Sequence, residues 1–417
     1  MKNYQNKNIW ILNHYAITPD ITGSTRHYDF ALELIKKGYK ISIFASGFQH
    51  QGERKEIKLE KKESWRIENI DGINFVWIKT FPYQKNDWRR TVNMFSYLWR
   101  VYCLGRKITK INKNIKKPDI IIGSSPHLLS PLCAYWLSKI YKAKFIIEIR
   151  DLWPQTFIDI GKIKKNNPII IILKLLEKFL YKKSNKIITL LPYSYKYIEK
   201  LGISRKKIVY IPNGVNYKYY QNIKEYTGIL NNPIQIIYIG GITRTHSLNI
   251  ILKNAKKLQK KYNKKLKFIF IGEGDEKKDL IRLSQNYKLK NVKFHKGVPK
   301  YRIPQIMEKA DALILSLIDS PLYKYGISLN KLFEYFASGR PVIFSTGIHK
   351  NFVDNIKAGI VVSPKNPYNL TGGIIKFINL DSEERKKMGG NGKKYVKKYH
   401  DIPILVNKLV KIIEEIN

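Results

Sequence analysis

Four loops in this 417-residue chain carry residue types that can hold a phosphate or a sugar. The first runs from Asn13 to Ser24, with Pro19, Gly23 and Ser24 ahead of Thr25-Arg26-His27. A glycine there lets backbone approach a ligand, and the helix it precedes offers free N–H groups to an anion. A tight strand-to-helix turn needs the same residues. The second loop is Tyr238-Ile239-Gly240-Gly241-Ile242-Thr243-Arg244. Its N–H groups can point at a diphosphate, with Arg244 as a fixed charge. The third is Phe270-Ile271-Gly272-Glu273-Gly274-Asp275. Neither has the G-x-G-x-x-G spacing of a dinucleotide turn, so a nicotinamide cofactor is not expected. The fourth runs from Tyr325 to Ile343 and holds Gly326, Ser328, Asn330, Lys331, Leu332 and Glu334 before Gly339 and Pro341. Lys331 and Glu334 stand one helical turn apart, where a carboxylate can accept two sugar hydroxyls and an ammonium can meet phosphate. That spacing also suits a surface ion pair.

The elements that must position these loops alternate between strand and helix. Ile9–Leu12, Arg26–Lys37 and Lys40–Ala45 read as a βαβ opening and hence a parallel sheet. Further buried strands are predicted at Asp119–Gly123, Phe145–Ile149 and Lys186–Leu190. Trp65–Ile70 and Ile73–Ile78, joined by Asp71-Gly72, read as an edge hairpin. After Ile208–Pro212 and the Asn-rich stretch Asn216–Asn232, a second series begins at Ile234 and runs to Val362. The division expected is residues 1–215, residues 216–400, and a helix over 401–417 crossing back to the first domain. Glycine turns at strand carboxyl ends lie at the ligand edge of an open α/β sheet.

Composition sets the class. Hydrophobic residues make up 44% of the chain, enough for real cores. Cys103 and Cys133 lie in apolar stretches without a nearby metal-ligand partner, as expected of reduced thiols in a cytoplasmic protein. The first residues lack the apolar region and cleavage site of a signal peptide, and no apolar run is long enough for a transmembrane helix. The net charge of +45 has two readings, a Lys- and Asn-rich composition or an anionic partner. Zinc patterns and aromatic RNA-binding signatures are absent, so nucleic acid is not expected as a partner.

Taken together, Leu12-Asn13-His14-Tyr15, Gly23–Phe30, Glu148-Ile149-Arg150-Asp151-Leu152-Trp153-Pro154, Ile211-Pro212-Asn213-Gly214-Val215, the Gly240-Gly241 turn with Arg244, Gly272-Glu273-Gly274 and the Asn330–Val342 block resemble the group 1, or family 4, retaining glycosyltransferases. They span almost the whole chain in the family's order. The branch they are most similar to is the L-fucosamine-transferase-like one of bacterial surface polysaccharide biosynthesis. The resemblance implies a GT-B fold, with two Rossmann-like parallel-sheet domains facing across a cleft. It implies that Glu334 holds the ribose hydroxyls and that Arg244 and Lys331 neutralise a departing diphosphate. Gly23, Gly240, Gly241, Gly272, Gly274, Ser328, Asn330 and Leu332 would line the donor, a UDP-sugar first and a GDP-sugar second. His14, Arg150 and Asp151 would lie on the acceptor side. No cofactor is implied. No two aspartates stand two apart, so the D-x-D metal motif is missing and metal-independent transfer is expected.

Three departures stand out. Many members carry a glutamate eight positions before the second one, where this chain has Gly326. Many carry a lysine where this chain has His246, leaving the cationic role to Arg244. Many carry a histidine where this chain has Arg150-Asp151. The missing glutamate keeps open a catalytically silent subunit, and a sugar-nucleotide epimerase is the other alternative.

Asn86–Lys117 mixes Trp88, Phe95 and Trp99 with Arg89, Arg90, Arg100, Arg106 and Lys107. This reads either as a core helix with a solvated basic face or as a helix lying in an anionic inner leaflet. The branch's polyprenyl-diphosphate-linked acceptors imply the second, and with it peripheral attachment to the cytoplasmic membrane face.

Overall fold

The computed structural model describes residues 6–21, 23–50, 54–85, 87–161, 163–262, 265–348 and 351–416. Asn86, the first residue of the basic aromatic stretch, lies outside them.

The first sheet contains β1 (Asn8–Leu12), β2 (Lys40–Ser46), β3 (Trp65–Ile70), β4 (Ile73–Ile78), β5 (Ile120–Ser124), β6 (Lys144–Ile149), β7 (Lys186–Thr189) and β8 (Ile208–Tyr210). Their order is β3-β4-β2-β1-β5-β6-β7-β8, parallel except for the β3–β4 hairpin. Asp71 and Gly72 both take positive φ, 51° and 84°, as a two-residue turn matched to strand twist requires. The predicted edge hairpin is therefore present. The second sheet contains β9 (Ile234–Ile239), β10 (Leu266–Ile271), β11 (Val292–His295), β12 (Ala312–Ser316), β13 (Val342–Ser345) and β14 (Gly359–Val362). It is wholly parallel, in the order β11-β10-β9-β12-β13-β14.

Helices cover both faces of the first sheet, which is why its strands read as apolar runs rather than alternating ones. Trp10 and Leu12 pack into one layer, while Ile9 and Ile11 pack into the other. The second of these layers is completed by Ile402, Leu405, Leu409 and Ile413 from the last helix, Ile402–Glu415. The chain end thus returns to the first sheet. A bridge between Val215 and Asp401 fixes the return, with Val215 N–H donating to His400 O and Ile402 N–H to Val215 O.

Candidate active site

In both sheets the strand carboxyl ends open toward the region where the two domains touch. Asn330 opens the Asn330–Ala337 helix and its Nδ2 donates to Ser24 Oγ at 3.0 Å, across from Gly23, whose φ is 152°. Ser328 Oγ accepts from Asn213 N–H at 2.9 Å and Ser328 O from Asn213 Nδ2 at 2.5 Å. Leu332 is fully buried in the second domain's core, so its side chain anchors the helix.

Lys331 points from that helix into the glycine turn after β9. Its Nζ donates to Tyr238 Oη at 2.6 Å and lies 3.1 Å from His246 Nε2. The Tyr238 hydroxyl donates in turn to Gly241 O at 2.5 Å. A side chain at Gly240 would begin 2.8 Å from Lys331 Nζ, so the glycine makes room for the ammonium. Burial pushes the Lys331 pKa down to about 7, against the opposing pull of Glu334. Burial and the Lys331 charge push His246 down to about 3, leaving a neutral imidazole. With Nε2 accepting from Lys331, the ring proton sits on Nδ1 and goes to Thr243 Oγ1, 2.8 Å away. The cation beside His246 is therefore Lys331, whereas Arg244 is exposed.

The glycines of the third loop serve the backbone. Gly240 N–H donates to Ile271 O at 2.9 Å, and Gly272 N–H to His295 O. Side chains at Gly272 and Gly274 would run into Gly240 O and Ile242 O. These glycines let the two turns stack. Gly241 N–H is left without a carbonyl partner among the described residues.

Glu334 is nearly buried, and its Oε1 lies 3.4 Å from Lys300 Nζ. Lys300 also donates to Thr25 Oγ1 at 2.7 Å and lies 3.7 Å from Asp29 Oδ2 in the first domain. Burial works against the charged ammonium, but Glu334 and Asp29 outweigh it and the pKa is raised. Lys300 escaped the sequence reading. The available signal was Gly297-Val298-Pro299-Lys300, a breaker-rich loop just after a strand at the ligand edge.

On the first domain, His14 follows β1 and is buried with its ring stacked between Tyr15 and Tyr97. Arg150 and Asp151 follow β6, two strands away, with Arg150 N–H bonded to Ser125 Oγ at 2.8 Å. Beneath them lies a charged floor that the sequence reading left unassigned. Glu148 receives Arg26 Nε at 2.9 Å, His27 Nε2 at 2.7 Å and Ser124 Oγ at 2.6 Å. Arg26 also donates to Pro212 O and Ile211 O, tying this floor to the segment that leads into the second domain. Among the described residues, no group of three His, Cys, Asp or Glu side chains is placed to hold a metal.

Residues 23–219 match the family described as Glycosyltransferase Family 4, and residues 220–395 that described as Glycosyl transferases group 1. The chain is a glycosyltransferase of the GT-B type. A curated relative, the uncharacterized glycosyltransferase MJ1069 of Methanocaldococcus jannaschii, is 23% identical over 72% of this chain and 75% of its own. Among solved structures, the sucrose-phosphate synthase of Thermosynechococcus elongatus superposes with a TM-score of 0.72 at 14% identity, covering 98% of each chain. The Anabaena protein Alr3699/HepE, in complex with UDP and glucose, gives 0.66 at 12% identity over 98% of this chain and 100% of its own. WaaG, a glycosyltransferase involved in lipopolysaccharide biosynthesis, gives 0.67 at 14% identity over 97% and 99%. At these identities the likeness is one of fold.

The Gly326 departure has a physical basis in this glycosyltransferase. Gly326 takes φ 91°, and a side chain there would begin 2.5 Å from the Pro192 ring of the first domain. The neighbouring Tyr193 N–H donates to Tyr325 O at 3.1 Å. The domains meet where a glutamate would otherwise project.

Proposed function

We propose that this glycosyltransferase moves a sugar, with retention, from a UDP-sugar to a lipid-linked glycan during assembly of a bacterial surface polysaccharide. The observation that carries the donor half is the Asn330–Ala337 helix. It presents Lys331 to the Gly240-Gly241 turn and Glu334 to the cleft, one helical turn apart. Glu334, oriented by Lys300, takes the ribose hydroxyls. Lys331, Arg244 and the Gly241 N–H take the diphosphate, with Gly23, Ser328 and Asn330 closing the site from the domain contact. Gly240, Gly272 and Gly274 keep the two turns close together, and Leu332 holds the helix in register. In the transfer the C1–O bond to the diphosphate breaks and its electron pair stays on the diphosphate oxygen. The acceptor oxygen bonds to C1, and its proton goes to the departing diphosphate. Each positioned donor at such a developing charge contributes about 3 kcal/mol, so the residues present serve a metal-independent reaction. His14, Arg150 and Asp151 face the acceptor.

The acceptor half rests on one face of the first domain. Trp88, Phe95 and Trp99 are exposed on the Trp88–Gly105 helix, Trp136 and Ile140 on Leu129–Tyr141, and Ile169, Ile172 and Leu175 on Pro168–Lys183. The three helices are joined by the Tyr102–Trp136 and Tyr135–Phe179 contacts, with ring centroids 5.4 Å and 5.2 Å apart. Exposed Arg89, Arg100, Arg106, Lys139, Lys178 and Lys182 lie among them. Apolar side chains interleaved with cations suit an anionic leaflet. No described helix is long and apolar enough to cross a membrane.

The test is thermal unfolding of the protein and of Glu334→Ala with UDP, GDP, ADP and dTDP. A nucleotide at 100 times its Kd adds about 2.7 kcal/mol, and UDP is expected to give the largest shift, absent in the variant. No shift from any nucleotide sinks the donor reading. Gly326 favours one second reading, a GT-B subunit that binds nucleotide without transfer. Release of UDP from a UDP-sugar only when acceptor is present decides against it.

A further inference from the structure

Behind the Trp88–Gly105 helix, the first domain packs His14, His50 and His127 together, and of these only His14 has a place in the reading above. Ser130 N–H points at His127 Nδ1 (3.4 Å), which therefore accepts and leaves the His127 proton on Nε2. That proton goes to His14 Nδ1, 2.8 Å away, so the His14 proton sits on Nε2. His14 Nε2 is buried and has no partner. A second imidazole, His50, packs against His14 and Tyr15 with ring centroids 4.8 Å and 4.5 Å apart. Its Nδ1 meets Tyr83 Oη at 3.1 Å, and its Nε2 is likewise buried without a partner. Two imidazole nitrogens that folding leaves unsatisfied in one place mark a ligand position, because such groups are costly to bury unpaired.

The surrounding charge says which ligand. Arg90 acts on all three imidazoles and on Tyr15 and Tyr83, and Arg54 acts on His50 and Tyr83. Among the described residues, the carboxylate facing this group is Asp275, which pairs with Arg54 at 2.9 Å and is largely exposed. Burial and Arg90 hold His50 and His127 down near 3, and burial with its neighbours holds His14 well below the ordinary value, so the rings are neutral. Among the described residues, two guanidiniums, neutral N–H donors and one outlying carboxylate meet here, a balance that suits an anion. Tyr15, His50 and Arg90 are partly exposed, so the cluster is reached from their side, while His14 and His127 are buried.

The same helix has two faces. Tyr97 is buried and stacks on His14, and Arg90, seven residues earlier, acts on the three histidines, while Trp88, Phe95 and Trp99 are exposed. On the other side, Arg54–Asp275 joins the pocket to the Gly272–Asp275 turn of the donor domain. We propose that the His14–His50–His127 pocket, with Arg90, binds the diphosphate head of an amphiphilic acceptor whose hydrocarbon chain lies over the outer face of the Trp88–Gly105 helix. This rests on the donor and acceptor reading above and gives the acceptor's head group a place beside the cleft.

Calorimetric titration with citronellyl diphosphate, with and without saturating UDP, tests it. Binding is expected to persist in the presence of UDP. It should weaken at least tenfold in Arg90→Gln and in His50→Gln, while both variants keep the wild-type UDP affinity. Retained UDP binding shows that a variant is folded; if Arg90→Gln loses it, Arg90→Lys and His50→Gln carry the comparison. Inorganic pyrophosphate should bind more weakly than the prenyl compound. Citronellyl monophosphate binding as tightly as the diphosphate overturns the assignment. So does unchanged affinity in the variants, or loss of the probe once UDP is bound, which would place it in the donor site. If UDP binds and the probe does not, this inference alone fails. If UDP does not bind at all, the donor reading fails and takes this inference with it.

Discussion

The Lys300 ammonium lies 3.4 Å from Glu334 Oε1, with both side chains about nine-tenths buried. Lys300 also holds Thr25 and Asp29 of the first domain, so one cation serves two carboxylates on opposite sides of the cleft. Removing it leaves both carboxylates buried without their counter-charge, which costs about 3 kcal/mol. Lys300→Met is therefore expected to lower the unfolding temperature by several degrees. It should also weaken UDP binding, because the Glu334 carboxylate loses its orientation. An unchanged melting curve would show that the three groups are solvated in solution. The raised Lys300 pKa puts this contribution fully in place below the ordinary lysine value, with loss only as the pH rises through the folded one.

Lys331 titrates near 7 when the site is empty. A diphosphate beside its Nζ favours the charged ammonium, so binding above neutrality takes up a proton. UDP affinity is expected to fall by up to about tenfold per pH unit above 7, and binding at pH 8.5 to take up close to one proton. Calorimetry in two buffers of different ionisation enthalpy measures that uptake. Lys331→Met should abolish the uptake and leave affinity flat with pH. Equal heats in both buffers for the native protein would mean that Lys331 does not face the phosphates.

The sheets were legible because Ile-, Val- and Phe-rich runs such as Ile120–Ser124 and Phe268–Ile271 carry their own signal, and Asp71-Gly72 names its turn. The spacing of the candidate site was legible at Lys331 and Glu334, one helical turn apart on a helix that ends just before Gly339. What stayed hidden depends on pairing across long sequence separations. Lys300 meets Thr25, 275 residues away, and Arg26 meets Glu148, 122 away. No local spacing announces either. Gly240 and Gly272, read in the sequence for ligand approach, also have a backbone role that spacing did not announce, since the two turns stack against each other. The last helix was expected to cross back to the first domain, and the Val215–Asp401 bridge sets where it lands, in the layer with Ile9 and Ile11.

Glu148 is expected to contribute to acid sensitivity. Burial alone would raise its pKa, but Arg26 and then His27 hold it well below the ordinary carboxylate range. A carboxylate depressed in the fold stabilises above its unfolded value, about 4.3, and the contribution disappears as pH falls through the folded value. Glu148→Gln leaves Arg26 buried without its counter-charge and is expected to cost about 3–5 kcal/mol at pH 7. The melting temperature of the variant should also depend less on pH between 5 and 3 than that of the native protein. Parallel curves for the two would assign the acid sensitivity to other carboxylates.

The proposed lipid contact falls on the three-helix face of the first domain. Its exposed apolar residues supply insertion, and each arginine or lysine near an anionic surface contributes about 1 kcal/mol. Co-sedimentation with vesicles of neutral lipid should be weak, and should rise steeply once anionic lipid is added. Salt should reverse the electrostatic part within a Debye length of roughly 10 Å at 0.1 M. Trp99→Glu and Ile172→Glu place a like charge against the leaflet on two different helices. Each is expected to reduce vesicle binding several-fold, and the pair more than either, while UDP binding stays at its native value. If Trp99→Glu alone acts, contact is confined to the Trp88–Gly105 helix. If neither acts, the +45 charge rather than this face governs whatever binding is seen, and scattered lysine substitutions elsewhere should then reduce it equally.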